Sequence, residues 1–372
     1  SAIALCNAKD IEYNPNDANW NVETVSDALN ELYRESFSSV EEETSCTSVS
    51  EPVIKDGLVP VTLANDGTVT MANTNNNCEK KWANAVILKE SPSKSYKAGE
   101  VIKEEDIDAY FVWIPKYKYK LWNVGVTNPA KKAHSIEIIF DENNTEDVEN
   151  KSCKTPLISG GTDNCANGLY MTHPAFITFG VNGFWVGKFE TGYRGATSTA
   201  AAQVNNATSA NIIVKPNVYS WRNITVNNIF QATYNYNRSL ESHMMKNTEW
   251  GAVSYLSHSR FGINTEVNIN NNSSYKTGYS SVMSQPQYPG TSGDGDSFNN
   301  PYNTEIGYKA STTGNITGVY DISGGAYEYM ASYRANTLGS SGLTAAAIAS
   351  YGEKYFDVYH ASSSIQSYGY RI

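Results

Sequence analysis

Charge is scarce in this chain. Asp, Glu, Lys and Arg make up 18% of 372 residues, and 38 acids face 28 bases, a formal net charge of −10. Phosphate binding needs a basic face, so the balance argues against a nucleic-acid partner. No apolar run approaches the roughly 18 residues of a membrane helix, so no membrane span is expected. No signal peptide is visible either, and the opening Ser1-Ala2-Ile3-Ala4-Leu5 is compatible with a mature end left by processing. Cysteine is limited to Cys6, Cys46, Cys78, Cys153 and Cys165, none in Cys-x-x-Cys spacing and none beyond Cys165. A Gly-x-Ser-x-Gly elbow, a His-Glu-x-x-His pair and a P-loop are all absent.

What is abundant is Asn, Ser, Thr, Gly and Tyr, the last numbering 26. Polar, weakly charged, Tyr-rich surfaces suit extracellular binding proteins, because Tyr offers contact area at low entropy cost; compositional drift is the competing account. Cys153 and Cys165 bracket a short segment with Pro156, Gly160 and Gly161 and are the expected disulfide. Cys6, Cys46 and Cys78 can supply one more, leaving one over. Disulfides imply an oxidising, extracytoplasmic setting.

Three regions are expected. Residues 1–50 form a small segment in which Thr24-x-x-Asp27 caps a helix carrying Val25, Ala28, Leu29, Leu32 and Tyr33 at helical spacing. Residues 51–105 form a small β-rich module: Leu58 to Leu63 and Thr68 to Met71 read as a hairpin across Asn65-Asp66-Gly67, with a further strand over Trp82 to Leu88. Residues 106–372 form the main domain. Its first strand is Tyr110 to Pro115, after which Lys116, Lys118 and Lys120 alternate with Tyr117, Tyr119 and Leu121, a half-buried strand with a solvated lysine face. Ser135 to Phe140 is another strand; residues 141–167 read as an inserted loop, and 263–317 as long loops.

The chain is organised around Gly318-Val319-Tyr320-Asp321-Ile322-Ser323-Gly324-Gly325-Ala326-Tyr327-Glu328-Tyr329-Met330. Adjacent glycines permit backbone conformations that a side chain forbids. The two acids frame a turn whose carbonyls can face inward, and oxygen-rich loops of this kind hold calcium. The stretch resembles the Gly-Leu-Tyr-Asp-x-x-Gly-Asn-x-x-Glu-Trp signature of the formylglycine-generating-enzyme-like (sulfatase-modifying factor) superfamily, within the C-type-lectin-like folds. Phe184-Trp185-Val186-Gly187-Lys188-Phe189-Glu190-Thr191 resembles the strand that opens that family's domain. Met244 to Leu256 resembles its Glu-Trp helix, with Asn247 as the expected N-cap and Trp250, Val253 and Leu256 on one buried face. The wording of the helix also looks like that of surface and phage-associated proteins of gut Firmicutes.

The resemblance, covering roughly residues 107–335, implies an α+β, C-type-lectin-like domain behind a small N-terminal helix/β module. It also implies structural Ca2+ held by the side chains of Asp321 and Glu328 and the backbone carbonyls of Gly324 and Ala326. The competing account is a plain turn in which Asp321 caps the backbone. The family's chemistry is not carried over. Its reactive cysteine pair lies late in the domain, where this chain has none, and His134, His173, His243, His258 and His360 do not show the spacing of its iron-binding relatives. No catalytic residue is expected. The function implied is a non-catalytic extracellular adhesin, at a cell or virion surface, whose partner is a receptor, a glycan or a neighbouring subunit. The alternative is a structural subunit of a surface filament, pilus or phage tail fibre; a working oxidase is the remaining reading. No Arg-Gly-Gly strand follows the central turn, so the last strands are expected to be diverged, missing or donated by a neighbour, Ser1 to Tyr13 being the candidate donor for a homopolymer.

Overall fold

The computed structural model describes residues 51–74, 77–78, 80–122, 135–140, 170–265, 275, 277–280 and 300–359. The chain divides into two compact units, Ser1–Cys46 and Thr47–Ile372, and all described residues belong to the second. The expected helix behind Thr24, the donor segment Ser1 to Tyr13 and the Cys153–Cys165 pair lie outside them. Cys78 is disulfide-bonded.

The architecture is α+β, built on one antiparallel sheet of six strands. β1 (Val59–Leu63) and β2 (Val69–Met71) form the expected hairpin, with Leu63 opposite Val69 and Val61 opposite Met71. Its turn works as the Asp-Gly pair dictates. Gly67 takes φ +91°, and Asp66 Oδ1 accepts from the Thr68 N–H at 2.9 Å. β3 (Asn84–Leu88), β4 (Val101–Ile102), β5 (Ile107–Pro115) and β9 (Gly183–Gly187) complete the order β4-β2-β1-β3-β5-β9. Strands from both sides of residue 105 therefore share one ladder.

β5 is the spine, and it is apolar almost throughout because both of its faces are covered. Val112 and Ile114 enter one core; Ile107, Ala109 and Phe111 enter another. β6 (Tyr117–Lys120) then pairs with β7 (Glu137–Phe140) and β8 (Met171–Thr172). Its alternation holds: Tyr117 and Tyr119 are buried, while Lys118 and Lys120 stay partly solvated and Lys120 Nζ meets Glu137 Oε1 at 3.5 Å.

α1 (Val226–Tyr234) and α2 (Asn247–Ser257) follow the two-residue pair β10 (Gly192–Tyr193) and β11 (Ile212–Ile213). α2 buries Val253 and Leu256 completely and Trp250 partly. Asn247 is the first helical residue and Lys246 the N-cap, a one-residue correction. The capping carboxylates come from Glu249, which accepts from the Lys246 N–H at 2.8 Å, and from distant Asp357, which accepts from the Thr248 N–H at 2.7 Å. Beyond the central turn, β12 (Ser332–Arg334) runs parallel to β13 (Asp357–Tyr359), with α3 (Ala345–Tyr351) between them. A third core gathers Phe230 of α1, Met244, Ile348 of α3 and Phe356. Among the described residues no helix is long and apolar enough to cross a membrane.

Candidate functional site

Three separated segments meet at one place. Where β9 ends, Lys188 and Glu190 lie two apart and grip the central turn at its entry and its middle. Lys188 is buried, and its Nζ donates to the carbonyls of Ile316 at 2.5 Å and Gly318 at 2.8 Å while lying 5.4 Å from the Tyr320 ring centre. Burial holds this amine well below the usual lysine range. Glu190 accepts from the Ala326 N–H at 2.6 Å and from Ser220 Oγ at 2.5 Å. The turn adopts the backbone its glycines allow, with φ +118° at Gly324 and +73° at Gly325, and Asp321 itself sits at +59°. A β-carbon at Gly325 would overlap Glu190 Oε1, so the absence of a side chain there is what lets the carboxylate approach.

The expected ligand residues fall as follows. Asp321 is buried and accepts from Thr277 Oγ1. Glu328 lies at the other end of the turn, where the Trp250 indole N–H of α2 donates to its Oε2 at 3.0 Å. Ala326 turns its N–H toward Glu190, and Gly324 occupies the left-handed turn position. Glu190, absent from the expected set, stands between the two acids electrostatically. Burial pushes its carboxyl well above the usual range, the charge of Asp321 adds repulsion, and Glu328 adds more; the Ser220 and Ala326 donors pull the other way. Glu328 keeps water contact, yet crowding by surrounding protein raises it to about 8, with Asp321 repelling in the same direction and Trp250 opposing. Hard carboxylate oxygens suit Ca2+. Even so, among the described residues no three acid, histidine or cysteine ligands converge on a single point.

Glu190 and Glu328, though not Asp321, line a cavity of about 600 Å³. Its walls are aromatic: Trp185 and Trp221, Phe179 and Tyr236, with Met244 and Met245 behind. The indole N–H groups are already spoken for, Trp185 by the Val53 carbonyl at 2.8 Å and Trp221 by the Val204 carbonyl at 2.7 Å, so both rings are held in place. Tyr327 and Tyr329, 83% and 57% exposed, belong to the same lining. Size, apolar walls and a few polar groups are the ordinary attributes of a small-ligand site.

Sequence reasoning missed Glu190, Ser220, Trp221 and Lys188. For the first and last a signal existed, two opposite charges at i and i+2 at the end of an otherwise apolar strand. For Ser220 and Trp221 none did, because they lie in an irregular segment. No protein-family model matches this chain, and no curated protein does either.

Proposed function

We propose that the chain is a non-catalytic extracellular binding protein and that its ligand, a glycan, occupies the aromatic cavity beside the central turn. The observation that carries this reading is the pairing of fixed indole walls with carboxyl groups inside a cavity of about 600 Å³. Aromatic faces accept the apolar face of a sugar ring, while carboxyl and hydroxyl groups such as Glu328 and Ser220 exchange hydrogen bonds with its hydroxyls. The resemblance to the formylglycine-generating-enzyme-like superfamily fits a scaffold that has kept the turn and lost the thiols. Structural Ca2+ at Asp321 and Glu328, with the carbonyls of Gly324 and Ala326, belongs to the same proposal; the mutual repulsion of three carboxylates, which a divalent cation would relieve, supports it.

A glycan array followed by tryptophan-fluorescence titration tests the ligand. The expected result is saturable binding that Trp221→Ala abolishes and Glu328→Gln weakens. A protein that binds no glycan on the array, yet sediments as a polymer, favours instead the second reading of a filament or tail subunit.

A further inference from the structure

At the start of α2, against the Phe179, His243 and Glu249 side of the cavity wall, lies a second cluster built around Lys246 and Asp357, neither of which lines the cavity. Lys246 is completely buried, and its Nζ has no hydrogen-bond partner among the described residues. It stands 3.9 Å from Asp357 Oδ1 and 4.9 Å from the centre of the Phe179 ring. A buried ammonium is normally matched by several acceptors, since desolvating a charge is expensive. Here the amine faces one carboxyl group at a distance beyond hydrogen bonding. That carboxyl is held from the other side: the Thr248 N–H donates to Oδ2 at 2.7 Å and Thr248 Oγ1 to Oδ1 at 3.1 Å. Glu249, also buried, accepts from His243 Nε2 at 2.9 Å and from the Lys246 N–H, and interacts electrostatically with both Lys246 and Asp357.

We propose that Lys246 and Asp357 become joined by an intramolecular amide bond, formed by the folded chain itself. Nζ of the neutral amine attacks Cγ of the protonated carboxyl group. Negative charge develops on Oδ2, where the Thr248 N–H at the amino end of α2 stabilises it as an oxyanion. The Cγ–Oδ1 bond then breaks. The proton leaving Nζ passes by way of the Glu249 carboxylate to the departing oxygen, which leaves as water. One N–C bond forms, one C–O bond breaks, and no oxidant, reductant or nucleotide is needed. A neutral carboxyl group is what an apolar site favours. Burial raises the Asp357 carboxyl from its ordinary value against the pull of Thr248 and Lys246, and the charge of Glu249 raises it further. Proximity supplies the rest, because two groups held together by the fold react as one molecule. The product would tie β13 to the start of α2 and leave no unmatched amine.

The test is the intact mass of the whole reduced protein, followed by tandem mass spectrometry of a digest. The expected mass is one water below that of the sequence, with the peptide containing Lys246 covalently attached to that containing Asp357. Lys246→Met and Asp357→Ala should restore the full mass of their own sequences, and Glu249→Gln should leave the bond unformed in a protein with wild-type circular dichroism. Asp357→Asn should still cross-link, losing ammonia in place of water, so that its product has the same mass as the cross-linked wild type. A wild-type protein of full mass overturns the proposal without any variant, and so does a water loss that maps to Asp66-Gly67. Glycan binding is read separately, on the wild-type protein and on Lys246→Met, because Glu249 also lines the cavity whereas Lys246 does not.

Discussion

Glu328 sits where water, an indole N–H and two other acids compete for one carboxyl group. Its value in the folded protein is about 8 against an ordinary 4.5. Between those values the native chain holds a proton that the unfolded chain has released. The stability it contributes is therefore fully present below about pH 4.5 and is lost as pH rises through about 8. Thermal melts from pH 5 to 9 should show the wild type losing ground to Glu328→Gln as pH rises; parallel curves for the two proteins would refute the assignment. Calcium acts on the same carboxyls with the opposite sign of dependence, because it binds the ionised forms. If Asp321 and Glu328 hold Ca2+, a chelator lowers the melting temperature at pH 8 and added Ca2+ restores it; an unchanged melt together with no metal in elemental analysis ends that proposal.

At the scale of elements, the central turn is a segment whose shape is set from outside. Lys188 holds its entry through two carbonyls, Glu190 holds its middle through the Ala326 N–H, and Trp250 of α2 reaches its far end. Gly325 makes the grip possible. Gly325→Ala would place an L residue at φ +73° and drive a methyl group into the Glu190 carboxylate, destabilising by at least about 2 kcal/mol in urea unfolding. A change under about 0.5 kcal/mol, the range of ordinary surface substitutions, would mean that the turn relaxes freely. α2 illustrates the same dependence. Its first turn is capped by an aspartate from β13, so its amino end is completed only when β13 has docked.

For the molecule as a whole, the six-stranded sheet decides which pieces stand alone. β5 lies between β3 on one side and β9 on the other. A fragment beginning at residue 106 would strip β3 from β5 and expose a long apolar edge, the kind that recruits other strands. It should aggregate or stay unfolded by gel filtration and circular dichroism, whereas Thr47–Ile372 should melt in one cooperative transition. A soluble, folded 106–372 fragment would show instead that β1 to β4 are a dispensable addition.

The Asp66-Gly67 hairpin, the alternation of β6, the buried face of α2 and the glycine-dependent turn at Gly324-Gly325 were all legible in the order of residues. Each depends on groups a few positions apart: side-chain period, turn chemistry and the tolerance of glycine for positive φ. Tertiary structure alone decided that Glu190 would join Asp321 and Glu328, that Asp357 would cap α2, and that the Lys246 amine would be sealed beside it with no hydrogen-bond partner among the described residues. The reason is physical. Desolvation and charge–charge repulsion depend on which remote segments share a volume from which water is excluded, and that volume exists only once the sheet, the turn and α2 have packed together.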